Sequence, residues 1–404
     1  MADQKKLDLP HAPDRLTLAA MGMEAEFALM VDDQQRRPED LFGSPRDFIR
    51  GNLMHRQGTS YHLPTGGAVY FDTGVIEAAT PVIELEPGCA ARAGRSLWEA
   101  IRFIRQELDA WDERTRHHTR LVGFSAHYNV SFSLPNGEPS NGRTVERLAH
   151  LLTYILPAPV MLLATNRRST GVGVRPRSDR IEITADFTPS APLMIATGTL
   201  IVGIVREVMR WPSYELSELE RHDVAVIDGF APVPHTSRKG WLASRDCYVE
   251  NPFACNVDEP MWPTVRHGVM SLRGIAQTTL RLFEQSIRRI SDPFTFRLIG
   301  SVIGGRSPSL LDLDDRPAEY EDVGRLCMWD ELFPPAKLER SRYERVLIRA
   351  ISGQHLHLNG HSLRPVGMRG WSAVVFRSDD DNRRRVIPID ALLEHLADWE
   401  RGRV

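Results

Sequence analysis

The stretch Met21-Gly22-Met23-Glu24-Ala25-Glu26-Phe27 decides how the chain is read. With a two-residue strand period, Glu24 and Glu26 share one face, while Met23, Ala25 and Phe27 take the other. Two carboxylates on one surface repel each other unless a divalent cation neutralises them, and magnesium favours oxygen ligands of this kind. Alone, the stretch also fits an edge strand whose acidic face lies in water.

The same device recurs twice. In Gly123-Phe124-Ser125-Ala126-His127-Tyr128-Asn129-Val130-Ser131, alternation sends Ser125, His127, Asn129 and Ser131 to one face. Val122, Phe124, Ala126, Tyr128, Val130 and Phe132 are expected on the opposite, apolar face. A lone strand histidine is more often a structural hydrogen-bonding group than a ligand, but a wholly polar, small-residue face is how the floor of a site is built. In Asp179-Arg180-Ile181-Glu182-Ile183-Thr184-Ala185-Asp186-Phe187, the residues Arg180, Glu182, Thr184 and Asp186 share a face. An arginine two residues from a carboxylate can hold a phosphate while the carboxylate holds its metal. A cross-strand surface ion pair is the other reading of that stretch.

Outward from these three strands, periodicity predicts a strand over Leu18 to Val31 and a strand pair at Ala68–Phe71 and Ile76–Leu85. It predicts a helix over Arg95–Trp111, whose apolar residues Leu97, Trp98, Ile101, Ile104 and Leu108 recur at helical spacing. The strand Leu121–Leu134 closes at the turn Pro135-Asn136-Gly137, and a helix over Arg143–Leu156 ends at Pro157. Residues 165–179 read as a loop, and a long apolar helix runs from Thr188-Pro189-Ser190 to Trp211. Beyond about residue 250 the pattern is mostly helical (Met270–Ile290, Ala336–Ser352), with a Gly304-Gly305 loop. A hairpin at Trp371–Phe376 and Val386–Ile389 and an amphipathic helix Asp390–Trp399 end the chain. The fold class expected is α+β, a curved antiparallel sheet backed by helices. A loose leader covers 1–17, a catalytic domain 18–250, and a mainly helical C-terminal region 251–404 completes the fold.

With 404 residues the chain can bury one large core or two ordinary ones. A net charge of −3 offers no general attraction to a phosphate backbone, so nucleic acid is not an expected partner. Four cysteines without C-x-x-C spacing argue against a zinc knuckle or a disulfide framework and for a reduced, cytoplasmic setting. The apolar run Pro192 to Val205 is shorter than the roughly 20 residues of a membrane span, so it is expected to be a buried helix and no membrane association is expected. His355, His357 and His361 are assigned no role, and Asp379 to Arg385 is expected to be an exposed hairpin tip.

Further motifs then bring in a resemblance. Pro159-Val160-Met161, Asn166-Arg167-Arg168-Ser169, Arg175, Arg180-Ile181-Glu182-Ile183 and Pro189-Ser190-Ala191-Pro192, in that order, resemble the catalytic half of glutamine synthetases. In that superfamily the segment resembling Gly22–Phe27 carries two metal-binding glutamates, and the one resembling Gly123–Ser131 a metal-binding histidine. Gly66-Gly67-Ala68-Val69-Tyr70-Phe71-Asp72-Thr73-Gly74-Val75-Ile76-Glu77 is similar to the corresponding stretch of the Pup ligases and the Pup deamidase (depupylase) enzymes, which share the glutamine synthetase fold. The resemblance implies that Asp72 is a base or nucleophile and Glu77 a metal ligand, with Glu84 a further candidate. The chain departs from glutamine synthetases at Thr184, where they place an arginine, and from the Pup enzymes at Tyr128, where a glutamate is usual.

The resemblance implies an ATP- and magnesium-dependent carboxylate–amine ligase that forms an amide or isopeptide bond through an acyl phosphate. Glu24, Glu26, Glu77, His127 and Glu182 would hold magnesium, and Arg168, Arg175 and Arg180 would bind the nucleotide phosphates. Asp72 and Arg180 would act in catalysis. The substrates implied are a carboxylate (an amino acid, a peptide or a small protein modifier) and an amine. The alternatives are a nucleotide-dependent amidase, deamidase or isopeptidase using Asp72, and a non-catalytic nucleotide-binding scaffold.

Overall fold

The computed structural model describes residues 19–133, 143–188, 190–235, 239–312 and 339–402. The leader 1–17, the turn Pro135-Asn136-Gly137, Pro189 and the first residues of the helix expected from Ala336 lie outside them.

The N-terminal half builds one antiparallel sheet from β1 (Ala20–Val31), β2 (Gln34–Arg36), β3 (Met54–Gln57), β4 (Ser60–His62), β5 (Ala68–Asp72), β6 (Val75–Ala79), β7 (Ile83–Glu84), β8 (Thr119–Ser131), β9 (Val172–Pro176), β10 (Arg180–Asp186), β11 (Val233–Pro234) and β12 (Trp241–Ala243). Its order is β11-β12-β9-β10-β8-β1-β6-β5-β4-β3, with β2 and β7 also paired to β1. Alternation in β1 works as the sequence requires: Met23, Ala25, Phe27 and Leu29 are buried, and the residues between them are only partly so. Each large apolar side chain buried this way contributes about 1.5–3 kcal/mol.

Helices cover the apolar face. Cys89–Thr115 and Ala191–Val208 pack on β1, and Val145–Ile155 meets Pro157–Ala164 at a 67° bend where Pro157 interrupts the hydrogen-bond ladder. Ala191–Val208 is long and apolar enough to cross a membrane, yet 78% of it is buried in this core. At Gly198 a Cβ would lie 2.5 Å from the Met23 side chain, so glycine is what lets helix and sheet approach this closely.

Several expectations need correction. The segment 165–179 is not all loop, because Val172–Pro176 pairs with β10 and β12. The strand expected over Ile76–Leu85 breaks around Pro81 into β6 and β7. The helix expected over Met270–Ile290 is two, Leu272–Leu282 and Glu284–Ile290, meeting at Phe283. The mainly helical pattern expected over 251–404 holds at 272–303 but not at 341–402, which form the helix Arg342–Ile351, a four-stranded sheet and two short helices. After a separate two-stranded hairpin of β13 (Trp262–Thr264) and β14 (Gly268–Met270), that sheet comprises β15 (Leu356–Leu358), β16 (His361–Arg369), β17 (Ala373–Ser378) and β18 (Arg384–Pro388). Trp371 therefore lies in the β16–β17 turn rather than in a strand.

The helices between 272 and 303 join the main core, whereas 343–399 has its own, to which β3 adds Met54. The two meet through a buried ion pair, Arg95 Nη2 to Glu344 Oε1 at 2.5 Å. They meet again where the Tyr343 amide donates to Glu84 Oε1 at 3.3 Å, and where His62 Nε2 lies 3.3 Å from the Gly370 carbonyl. Glu84 is thus a fastening between the two cores. The described cysteines Cys89, Cys247 and Cys255 are free thiols.

Candidate functional site

The polar face of the sheet is ordered by strand register into rows. One row runs Tyr70, Glu77, Glu26, Ser125, Asp186; the next brings Glu24, His127 and Thr184 side by side; a third aligns Asn129, Glu182 and Arg175. Residues as far apart as 24 and 182 become neighbours because β1, β8 and β10 are central and adjacent.

At the centre, His127 Nδ1 lies 3.5 Å from Glu24 and 4.0 Å from Glu77, and its Nε2 lies 3.6 Å from Glu26. The Ser125 hydroxyl donates to Glu26 at 2.5 Å, and the Tyr70 hydroxyl donates to Glu77 at 2.6 Å and lies 3.3 Å from Glu24. Burial and the negative charge of Glu24 push Glu77 up to about 8. Burial works against charge on Glu24 as well, but His127, Arg180 and Asn129 prevail and hold it down to about 2. Burial likewise opposes a charged His127, yet its hydrogen bond to Glu24 and the charge of Glu26 raise it to about 9. Within this crowd of carboxylates Glu77 and His127 therefore hold protons that a divalent cation would replace.

The donor set fits such a cation. Ligand atoms of Glu24, Glu77 and His127 all lie within 4.8 Å of one another, and so do those of Glu26, Asp72 and Glu77. Asp72 is exposed at the β5–β6 turn, where the Thr73 hydroxyl donates to it at 2.8 Å, so it stands at the rim of the cluster.

Glu182 shares the face but belongs to neither grouping. Arg175 pairs with it, and Arg177 grips it with Nε at 2.7 Å and Nη2 at 3.0 Å. Burial opposes its charge, but Arg177, His127 and Arg175 lower Glu182 below the usual carboxylate range. Arg180 donates to Asn129 Oδ1 at 2.8 Å, and Asn129 donates to Glu24 at 3.2 Å, so the guanidinium is tied to the cluster through one amide. Arg168 is exposed on a loop organised by Asp186, which accepts from Asn166 and Ser169. Among the described contacts none joins its side chain to the carboxylates.

Phe124 corrects the alternation expected for β8, being 62% exposed rather than in the core. Register shifts between Glu26 and Phe27, so Gly123 opposes Phe27, Ser125 opposes Glu26, and Phe124 is the extra residue of a bulge. Gly123 takes the core side, where a Cβ would lie 2.1 Å from the Phe187 ring. Tyr70, Arg177 and Arg56 are site residues to which the sequence reading gave no role. Tyr70 and Arg177 carry a usable signal, the two-residue period that links them to Asp72 and Arg175.

No known protein-family pattern matches the sequence, and no curated protein matches it. Among solved structures, the chain is similar to the complex between the prokaryotic ubiquitin-like protein Pup and its ligase PafA, at 11% identity and a TM-score of 0.49, over 96% of this chain and 94% of that one. It is also similar to the Pup ligase PafA of the prokaryotic ubiquitin-like modification pathway in complex with ADP, at 11% identity and a TM-score of 0.42, over 84% of this chain and 90% of that one. At this level of similarity the chain's own residues have to carry any functional reading.

Proposed function

We propose that the protein is a cytoplasmic, ATP- and magnesium-dependent carboxylate–amine ligase of the glutamine synthetase fold, forming an amide or isopeptide bond through an acyl phosphate. The observation that carries this is the convergence of Glu24, Glu26, Glu77 and His127 on one sheet face, with Arg175, Arg177 and Arg180 beside them. The sequence resemblance to glutamine synthetases and the Pup enzymes adds the substrate class: a carboxylate on an amino acid, a peptide or a small protein modifier.

Glu24, Glu26, Glu77 and His127 would hold magnesium, with Glu182 joining once its arginines turn to phosphate. Bound there, magnesium would neutralise charge on the β- and γ-phosphates. Arg175, Arg177 and Arg180 would stabilise the charge that gathers on the transferred phosphoryl group, with Arg168 reaching in from its loop. The substrate carboxylate attacks the γ-phosphate, ADP leaves, and the amine then attacks the acyl carbon and expels phosphate. Asp72, exposed beside the carboxylates, takes the proton released by that amine.

The test is incubation with ATP, magnesium and candidate carboxylate and amine substrates. Conjugation with one ADP released per bond supports a ligase. Amide cleavage without ADP release moves the assignment to an Asp72 amidase or isopeptidase. ATP-dependent biological activity that survives both Glu24→Ala and Glu182→Ala would leave only a nucleotide-binding scaffold.

A further inference from the structure

At the far end of the sheet from Arg175 and Arg177 stands another arginine. Arg56 lies in β3, where His55 opposes Tyr61 and Gln57 opposes Ser60, so Arg56 is the unmatched residue of a bulge. Bulges re-aim a side chain, and here the guanidinium comes to lie 4.8 Å from the centre of the Trp371 ring and 5.9 Å from that of Tyr70. Its Nη1 donates to the Ser60 hydroxyl at 3.2 Å, while its Nε is buried without a hydrogen-bond partner. Tyr70 is the residue whose hydroxyl meets Glu77 and Glu24. The charges of Glu24 and Glu77 both act on Arg56, against a burial that disfavours its charged form.

A half-buried guanidinium whose Nε has no partner, beside a cluster that fits metal ions, has the chemistry of an oxyanion receptor. Its counterpart cations, on β9 and β10, approach from the other side of the same face. Trp371 comes from the separate C-terminal core, in the β16–β17 turn next to Gly370, whose carbonyl meets His62.

Building on the ATP-dependent reading above, we propose that Arg56 binds a phosphate of the bound nucleotide from the side opposite Arg175, Arg177 and Arg180, and that Trp371 positions it. The C-terminal sheet thereby contributes to the site through one aromatic ring, without supplying a ligand of its own.

The experiment is calorimetric titration of the full chain with ATP, ADP, AMP and adenosine in the presence of magnesium. Wild type is compared with Arg56→Ala, Arg56→Lys and Trp371→Leu. Loss of a charged hydrogen bond should weaken ATP binding about tenfold or more in Arg56→Ala. Adenosine binding should be unmoved. Arg56→Lys, which keeps the charge but loses the planar fork, should fall between wild type and Arg56→Ala. Trp371→Leu should shift ATP affinity in the same direction by less, again sparing adenosine.

Equal ATP affinity in wild type and Arg56→Ala overturns the proposal and leaves the ligase reading standing, and so does a loss shared equally by ATP and adenosine. A wild-type chain that binds no nucleotide overturns both. Should Arg56→Ala fail to fold, as judged by near-ultraviolet circular dichroism, Arg56→Lys against wild type decides, with unchanged ATP affinity counting against the proposal.

Discussion

Glu77 and His127 set the behaviour of the site with pH. Both hold protons at neutral pH in the metal-free protein, with values near 8 and 9. A metal ion needs the carboxylate ionised and the imidazole neutral. Magnesium binding should therefore release protons, and its affinity should rise from about pH 6 to about pH 9. Calorimetry in two buffers of different ionisation enthalpy measures this directly, and equal heats in both would refute the proton inventory. Tyr70→Phe removes the hydroxyl that steadies Glu77 and Glu24. Loss of such a supporting partner should weaken magnesium binding by about tenfold to a hundredfold while the fold persists. The convergence of Glu24, Glu26, Glu77 and His127 on one face was legible at this scale, because short-period alternation and motif order both survive in the bare sequence. Arg177 is harder to single out, because its two-residue link to Arg175 counts only once Val172–Pro176 is known as a strand, and that strand's identity depends on β10 and β12 lying beside it.

Bulges are the feature that a single strand's pattern cannot disclose. Which residue is extra depends on the opposing strand, so Phe124 read as a core residue and emerged exposed, and Arg56 had no pattern at all. Gly123 makes the first of these testable. Adding a methyl group within van der Waals contact of Phe187 should destabilise the protein by about 1–3 kcal/mol, the usual cost of overpacking. Urea denaturation of Gly123→Ala gives the number, and a change within error would mean that Phe187 moves aside freely. The C-terminal sheet was legible only as its last hairpin, β17–β18, for a related reason: β16 carries Pro365 and Gly367 at a register shift, both of which weigh against a strand when read locally.

Two cores in one chain must be held together, and the fastening has its own chemistry. Arg95 and Glu344 are both buried, and removing one partner of a buried ion pair typically costs about 3–5 kcal/mol. Glu344→Ala should lower the melting temperature and speed amide exchange across 341–402. Exchange confined to the N-terminal sheet would argue that the pair does not hold the cores together. His62 adds a pH dependence. Burial, reinforced by the positive charge of Arg56, drives its pKa down to about 3 from an ordinary value of 6.5. The folded state thus favours neutral imidazole. Its contribution is complete above the ordinary value and is lost as pH falls through the interval between the two, by about 1.4 kcal/mol per unit. Acid should loosen the C-terminal core first, visible as a change in Trp371 emission, and His62→Gln should remove that early phase.

The clamp on Glu182 has a thermodynamic corollary. Arg175 and Arg177 are both paired with that carboxylate, so a lone anion arriving at them must compete with a partner already in place. A cation that captures Glu182 releases them, and a phosphate that captures them releases Glu182. On the proposed reading the two ligands are reciprocal effectors, each tightening the other by the same factor. Sulfate or chloride without a dication should then be feeble rivals for the pocket.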